Sequence, residues 1–340
     1  MSTILDVARL AGVSTATVSR VINTPDAVKS ATRERVVRAM KECNYRYNAL
    51  ARGFATRRSR ILGLIVPSIT NPIFAESTRG AQDFAERNDY RIVQANTDYS
   101  PEREEKMIQA FREMRVDGIL LTTTDPDHGF LLELVAEGFP LVLIYSTVRR
   151  GPISCVGVDN FFGGYLATRH LIDHGHRRIA MIAGDFHTSD KSRHRWHGYR
   201  KCLADGAIPY DPDRVRQSPY RLENGRRAIR ELMNGPEPPE AVFCSNDYLA
   251  IGAMKGAREL GLEIPRDLSV VGFDDMPLSG FFTPGLDTIR QPAYDMGRIG
   301  AEVLLRRIET PGSDPVRKLL PLQLIQRESV SRPRSARSIG

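Results

Sequence analysis

The sequence is poor in cysteine and tryptophan, with 4 and 1 among 340 residues, and it has no long apolar run. No stretch approaches the roughly 20 apolar residues that a membrane span needs. The start, MSTILDVARLAGV, lacks a basic segment leading into an apolar one, so no secretory signal is expected. Cys43, Cys155, Cys202 and Cys244 lie far apart and match no metal or redox spacing, which fits a reducing cytoplasm. The motifs GxxxxGK[ST], HExxH and GxSxG are absent, as is a glycine-rich dinucleotide fingerprint. Their absence argues against an enzyme, and no cofactor is expected.

What is present is an ordinary globular composition, 41% hydrophobic and 26% charged. At roughly 100–200 residues per domain, the length suggests two or three domains. The net charge of +7 is unevenly spread. Residues 1–60 hold 12 Lys/Arg against 4 Asp/Glu, a net +8, while the remainder sums to −1. A basic head on a near-neutral body points to a polyanion partner for the head alone.

The head reads as helices. Ile4, Val7, Ala8 and Ala11 recur at helical spacing behind Thr3 as N-cap, and Gly12 ends that helix. Ser14 caps a second helix, Thr15 to Asn23, with Val18, Val21 and Ile22 apolar. After the loop Asn23-Thr24-Pro25-Asp26, a third helix is expected from about Thr32 to Glu42, with Val36, Val37 and Met40 as its buried stripe. Helix, short glycine-containing turn, helix and supporting helix make a helix-turn-helix. Residues 46–60 are a basic connector in which residues 48–55 form at most about two helical turns.

From Ile61 onward the pattern changes. Apolar runs at Ile61–Val66, Arg91–Ala95, Gly118–Leu121, Leu141–Tyr145, Ile179–Ile182, Ala241–Cys244 and Ser269–Phe273 predict strands. Helical patterns lie between most of them, at Phe74–Asn88, Glu102–Arg112, Gly163–His174, Arg195–Ala204, Asp247–Glu259 and Tyr294–Ile308. Strands apolar on both faces imply parallel sheets covered by helices, and so many units imply two sheets with a cleft. The tail from Ser331 is polar and basic and is expected to be disordered.

Particular residues carry a resemblance. The head contains Thr3-Ile4-Leu5-Asp6-Val7-Ala8, Ala11-Gly12-Val13-Ser14 and Thr17-Val18-Ser19-Arg20-Val21-Ile22-Asn23. The body contains Asn71-Pro72-Ile73-Phe74, Val116-Asp117-Gly118-Ile119, Val158-Asp159-Asn160, Gly175-His176-Arg177-Arg178-Ile179-Ala180, Asn246-Asp247 and Val271-Gly272-Phe273-Asp274-Asp275. In their order the chain resembles the lactose-repressor (LacI/GalR) family of bacterial transcription regulators over about residues 2–330. The resemblance implies an N-terminal all-α helix-turn-helix head and an α/β periplasmic-binding-protein-like body of two parallel-sheet subdomains. It divides the chain into a DNA-binding domain at 1–46, a hinge helix and linker at 47–60, an effector-binding and dimerisation domain at 61–330, and a tail at 331–340. Within the body, subdomain 1 takes about 61–160 and 292–320, and subdomain 2 takes about 161–291 and 321–330.

The function implied is a cytoplasmic, sequence-specific, homodimeric repressor of carbohydrate or sugar-acid catabolic genes. Its partners are a near-palindromic double-stranded DNA operator, where it associates with the nucleoid, and a small effector: a sugar, sugar acid or sugar phosphate. The alternative is an α/β sugar-binding or sugar-processing protein with an accessory DNA-binding head. A second helix lying in the major groove presents its first residues to base edges. Thr15 and Ala16 suit a base edge or thymine methyl, and Arg20 suits guanine O6/N7. By resemblance these three hold the base-reading positions. Thr3, Ser14, Thr17, Ser19, Asn23 and Asn48 suit phosphates. Phe54 stands where the family wedges a leucine into the minor groove, and an apolar ring is also a competent wedge.

In parallel α/β sheets, ligands bind beyond the carboxyl ends of the strands. Those ends carry Phe74, Asp98, Thr122 to Thr124, Tyr145, Asn246 with Asp247, and Asp274 with Asp275. By resemblance the effector positions fall on Phe74, Arg195, Tyr220, Asn246, Asp274 and Gln291. Tyr145, where the family often has aspartate, is a further candidate, as are Ile73, Asn160 and Lys191. Phe74 equally fits a helix core, and the lesser alternative for Asp274 is a loop cap. Lys191, Arg193, His194 and Arg195 crowd one segment, which indicates either an acidic effector or an exposed basic helix start. His170 and His174 stand at i,i+4 without a Cys or carboxylate at ligand spacing, so no metal is expected.

Overall fold

The computed structural model describes residues 2–23, 25–45, 58–148 and 151–333. The chain divides into two compact units, Met1–Ser59 and Arg60–Gly340.

In the first unit, helices span Ile4–Ala11, Thr15–Asn23 and Ser30–Glu42. The Thr3 N–H and hydroxyl both reach the Asp6 carboxylate (2.8 Å each), tying down the first turn. Gly12 closes that helix at φ +63, a left-handed conformation that glycine adopts without a Cβ clash. Ser14 Oγ then accepts from the Thr17 N–H (3.2 Å) and starts the second helix. Val7, Ala8 and Ala11 pack with Val18, Val21, Val36 and Ala39 into one small core. Val37, expected inside, is 43% exposed; Ala39 takes the buried place, because the stripe of this helix runs through 36 and 39. The third helix also starts two residues earlier than predicted.

The second unit holds two six-stranded sheets. The first is built from β1 (Ile61–Val66), β2 (Arg91–Asn96), β3 (Gly118–Leu121), β4 (Leu141–Ile144), β5 (Ser154–Val158) and β11 (Arg317–Leu320). Its order is β11-β5-β4-β3-β1-β2, parallel throughout. The second is built from β6 (Ile179–Ala183), β7 (Val215–Gln217), β8 (Ala241–Cys244), β9 (Ser269–Asp274), β10 (Asp287–Arg290) and β12 (Gln323–Ile325). Its order is β12-β10-β9-β8-β6-β7. Here the expectation of parallel sheets needs one correction: β12 runs antiparallel to β10. The chain passes from one sheet to the other three times, after β5, after β10 and after β11.

Helices Asn160–Asp173 and Asp190–Asp205 carry residues of the site and touch backbone to backbone. A Cβ on Gly164 would stand 2.0 Å from the Arg195 carbonyl oxygen, and one on Gly198 would stand 2.0 Å from that of Phe161. No side chain fits either place, so this glycine pair sets how close the two helices come.

Several elements escaped the sequence reading: β5, β7, β10, β11, β12 and the helices Gly129–Ala136 and Leu222–Met233. β10 is short and polar, yet Asp287 and Thr288 are buried in it, satisfied by His170 (2.8 Å) and by Asp247 (2.6 Å). The expected disorder from Ser331 also needs correction. The Ser331 N–H donates to Ser269 Oγ (3.1 Å), its carbonyl faces His176 Nε2 (2.8 Å), and Pro333 is buried. Residues 334–340 lie outside the described residues.

Candidate effector site and nucleic-acid interface

On the second head helix, Val18 and Val21 face the core while Ala16 and Arg20, at i,i+4, share the exposed face. Thr15 and Ser19 are half-buried beside that face. Thr3 and Ser14 are engaged in capping, and Thr17 Oγ1 lies 3.0 Å from Ser14 Oγ. Their polar groups therefore also hold the helix ends in place. The side chain of Asn23, and Asn48 and Phe54 with the rest of residues 46–57, lie outside the described residues.

In the body, the carboxyl ends of β1, β3 and β4 face those of β6, β8 and β9 across a buried cavity of about 40 Å³. That is space for a few waters. Phe74, Ile73, Tyr145, Lys191, Arg195, Tyr220, Asn246, Asp274 and Gln291 all line it. Asn160 does not; it stands behind Arg195 and accepts from its Nε (2.8 Å). Arg193 and His194 do not line it either, while Lys191 and Arg195 do, one helical turn apart.

Arg195 is held from four sides. Besides Asn160, it donates to the Ser245 carbonyl, lies 3.9 Å from Asp274, and stacks with its guanidinium 3.5 Å from the Phe273 ring centroid. Asp274 sits at φ +118 and accepts from Gln291 Nε2 (2.6 Å). Burial pushes its carboxyl up to about 8, against the pull of Arg195. Strained backbone recurs on the opposite wall. Tyr145 adopts φ +67, and its hydroxyl donates to the Ile73 carbonyl (2.8 Å) while its ring meets Phe74 edge-on at 5.3 Å. Phe74 thus belongs to both readings: it lines the cavity and packs in the core of the first sheet.

Lys191 crosses the cleft. From the helix beside β6 its ammonium donates to the Thr123 carbonyl (2.9 Å) and Ser146 Oγ (2.9 Å) at the ends of β3 and β4, and to Asp190 (2.7 Å). Glu104, raised by burial, accepts from the Thr123 hydroxyl (2.6 Å) and the Thr124 N–H (3.1 Å) beneath that contact. Tyr248 adds a second bridge, its hydroxyl donating to the Thr70 carbonyl (2.5 Å). Two buried polar atoms in the wall, Thr122 Oγ1 and Gln291 Oε1, have no hydrogen-bond partner among the described residues. Buried groups of this kind are costly unless something satisfies them.

Tyr99 was missed. The sequence pointed to Asp98 after β2, but Asp98 pairs with Arg103 outside the cavity, while Tyr99 turns inward against Tyr220. Both residues have positive φ (52 and 62), and this local twist decides which side chain enters. Ser189 and Asn71 also line the cavity, each a helix N-cap, Asn71 accepting from the Ile73 N–H and Ser189 from the Ser192 N–H. Among the described residues, no cluster of His, Cys, Asp and Glu could hold a metal. His170, His174 and His176 bond to Asp287, to a helix carbonyl, and to Ser269 with the Ser331 carbonyl.

The raised Asp274 carboxyl has a consequence for stability. A carboxyl with a folded-state pKa above its unfolded value stabilises the fold fully at low pH and loses that contribution as pH rises through the folded value. The window here runs from about pH 4 to about 8. Between pH 5 and 8.5 the protein is therefore expected to lose more thermal stability than its Asp274→Asn variant. Parallel melting curves for the two over that range would contradict the assignment.

Known proteins match along the whole chain. Residues 3–48 match the bacterial regulatory proteins of the lacI family, and residues 168–330 match the periplasmic binding protein-like domain. The ribose operon repressor of Haemophilus influenzae is 36% identical over 97% of this chain and 99% of its own length. The lac repressor dimer bound to operator and the anti-inducer ONPF superposes with TM-score 0.87 at 28% identity, over 97% of this chain and 99% of that one. The complex of the transcriptional regulator CelR with cellobiose superposes with TM-score 0.72 at 34% identity, over 97% of this chain and 100% of that one.

Proposed function

This chain belongs to the lacI family of bacterial regulatory proteins, and we propose that it represses carbohydrate catabolic genes by binding an operator whose affinity a cleft-bound sugar changes. One observation carries the effector half: a buried Arg195–Asp274 pair and two orphaned oxygens, Thr122 Oγ1 and Gln291 Oε1, converge where strand ends of both sheets meet. Asp274 and Gln291 fix hydroxyls by direction, and Phe74 and Tyr145 cover C–H faces.

Among sugars, sugar acids and sugar phosphates, the neutral sugar fits best. Each cation in the wall is already engaged by buried oxygens, Lys191 by the Asp190 carboxylate and Arg195 by the Asn160 amide and the Ser245 carbonyl. An anionic ligand would have to displace one of them, whereas hydroxyl groups add to both.

The working cycle rests on Lys191 and Tyr248, which hold the two sheets together across the cleft. A sugar shifts the balance between open and closed forms only by its differential affinity for them. Residues 47–60, with Phe54 as minor-groove wedge, are the segment we assign to passing that change to the heads. Thr15, Ala16 and Arg20 are assigned to base edges, and Thr3, Ser14, Thr17, Ser19, Asn23 and Asn48 to the backbone. The protein then works in the bacterial cytoplasm, at the nucleoid when on DNA.

Two heads need two chains. The apolar segment with Leu278 (53% exposed), Phe281 (86%) and Phe282 (37%) is the face we assign to a second copy, since the matched lac repressor is a dimer on its operator. Nuclease protection on the DNA upstream of the gene, with and without a sugar panel, tests the whole reading. Two protected half-sites of opposite polarity are expected, altered by at least one neutral sugar, and Phe281→Glu should weaken protection of both alike. No protected sequence at low salt would end the proposal.

A further inference from the structure

Outside the inner cavity lies an open groove of about 730 Å³. The two share a wall made by Pro67, Tyr99, Thr188 and Tyr220. The Tyr99 and Tyr220 rings stand 5.2 Å apart, tilted by 41°, one from each sheet's side of the cleft. The wall is fixed from within. The Tyr220 hydroxyl shares hydrogen bonds with Ser189 Oγ (3.1 Å) and Ser192 Oγ. Gly184 makes room for it: a Cβ there would lie 2.2 Å from Tyr220 Cζ. The Gly184 N–H is itself held by Ser192 Oγ (3.1 Å) and Ser245 Oγ (3.0 Å), so the backbone cannot easily yield.

The volumes differ in kind. Small-molecule sites run to roughly 300–1,000 Å³, a range that the groove meets and the inner cavity does not. The groove repeats the inner chemistry. Tyr248 and the outer sides of the wall tyrosines offer aromatic faces, and Asp185, Gln217 and Arg221 offer planar polar groups around them. Aromatic faces flanked by planar donors and acceptors match a sugar ring, with its C–H faces and its equatorial hydroxyls.

We propose that this groove is a second sugar-ring subsite, so that the effector is a disaccharide or longer glycoside with one ring inside the tyrosine wall and the next outside it. The inference rests on the sugar-effector reading above and narrows it. The inner ring meets Arg195, Asp274 and Gln291 once the cleft has opened to admit it. The outer ring lies against the wall tyrosines, within reach of Arg221, whose side chain is exposed on the groove.

Calorimetric titration of the full-length protein tests this with glucose, galactose and xylose against cellobiose, lactose and xylobiose. At least one disaccharide is expected to bind tenfold or more tighter than its component monosaccharides. Arg221→Ala should cut that preference at least fivefold, and Gly184→Ala, which pushes Tyr220 off the wall, should remove it. If a monosaccharide binds as tightly as its disaccharide, or if the preference ignores Arg221→Ala, the subsite is overturned while the inner site stands. Silence across both panels overturns the sugar reading and the subsite with it.

Discussion

Arg195→Ala is expected to abolish the effector response and to destabilise the body by about 3 kcal/mol or more, the usual result of removing one partner from a buried ion pair. The residue is 5% exposed and its side chain serves four neighbours at once. Its loss leaves the Asn160 amide oxygen, the Ser245 carbonyl and Asp274 without their cation, and uncovers the Phe273 ring. Asp274 adds little to the penalty, since a carboxyl pushed up to about 8 already carries its proton near neutral pH. The carbonyl and the amide have no such escape. Arg195→Lys should recover little, because an ammonium can neither bridge Asn160 and Ser245 as a planar fork nor stack on the ring in the same way. Urea unfolding measures the stability and sugar titration the response. A sugar affinity within threefold of the parent would remove Arg195 from the site. The head is a separate compact unit, so DNA binding without sugar serves as the internal control.

The head was legible because its signals are local. Thr3, Gly12 and Ser14 each act within three or four residues, and periodicity assigns Val18 and Val21 to the core without tertiary information. The body strands with continuous apolar runs were legible for the same reason. β10 was not, since a strand reading Asp-Thr-Ile-Arg is buried only because His170, Asp247 and Ser329 meet its polar groups from distant parts of the chain. The strand-end rule led to Phe74, Thr122 to Thr124, Tyr145, Asn246 and Asp274 in the cavity wall, yet it pointed to Asp98 where Tyr99 enters, the two side chains being sorted by a left-handed turn. Nor could it show that Asn160 supports Arg195 from behind, or that Lys191 reaches across to Thr123. The first depends on how closely two helices approach, which Gly164 and Gly198 determine, and the second on how the two sheets face each other across the cleft, contacts invisible in one dimension.

Arg20→Ala is expected to weaken operator binding by about 1–3 kcal/mol, roughly tenfold to a hundredfold, with much less effect on random DNA. The reason is the face it occupies. Arg20 lies one turn after Ala16 on the side of the helix opposite Val18 and Val21, so a helix seated in the major groove directs both toward base edges. A phosphate contact would behave differently. Each neutralised phosphate adds about 0.9 to the slope of log affinity against log salt, so losing one lowers affinity for every sequence alike and flattens the slope by about that amount. Gel-shift titrations of parent and variant, on operator and random duplex over a series of salt concentrations, separate the two cases. The base-reading role requires a selective loss with the salt slope kept. The parent slope itself must be steep, since residues 1–60 carry a net +8 on a body that is close to neutral. A uniform loss with a shallower slope would move Arg20 to the phosphates and leave Thr15 and Ala16 to carry the sequence reading from this helix.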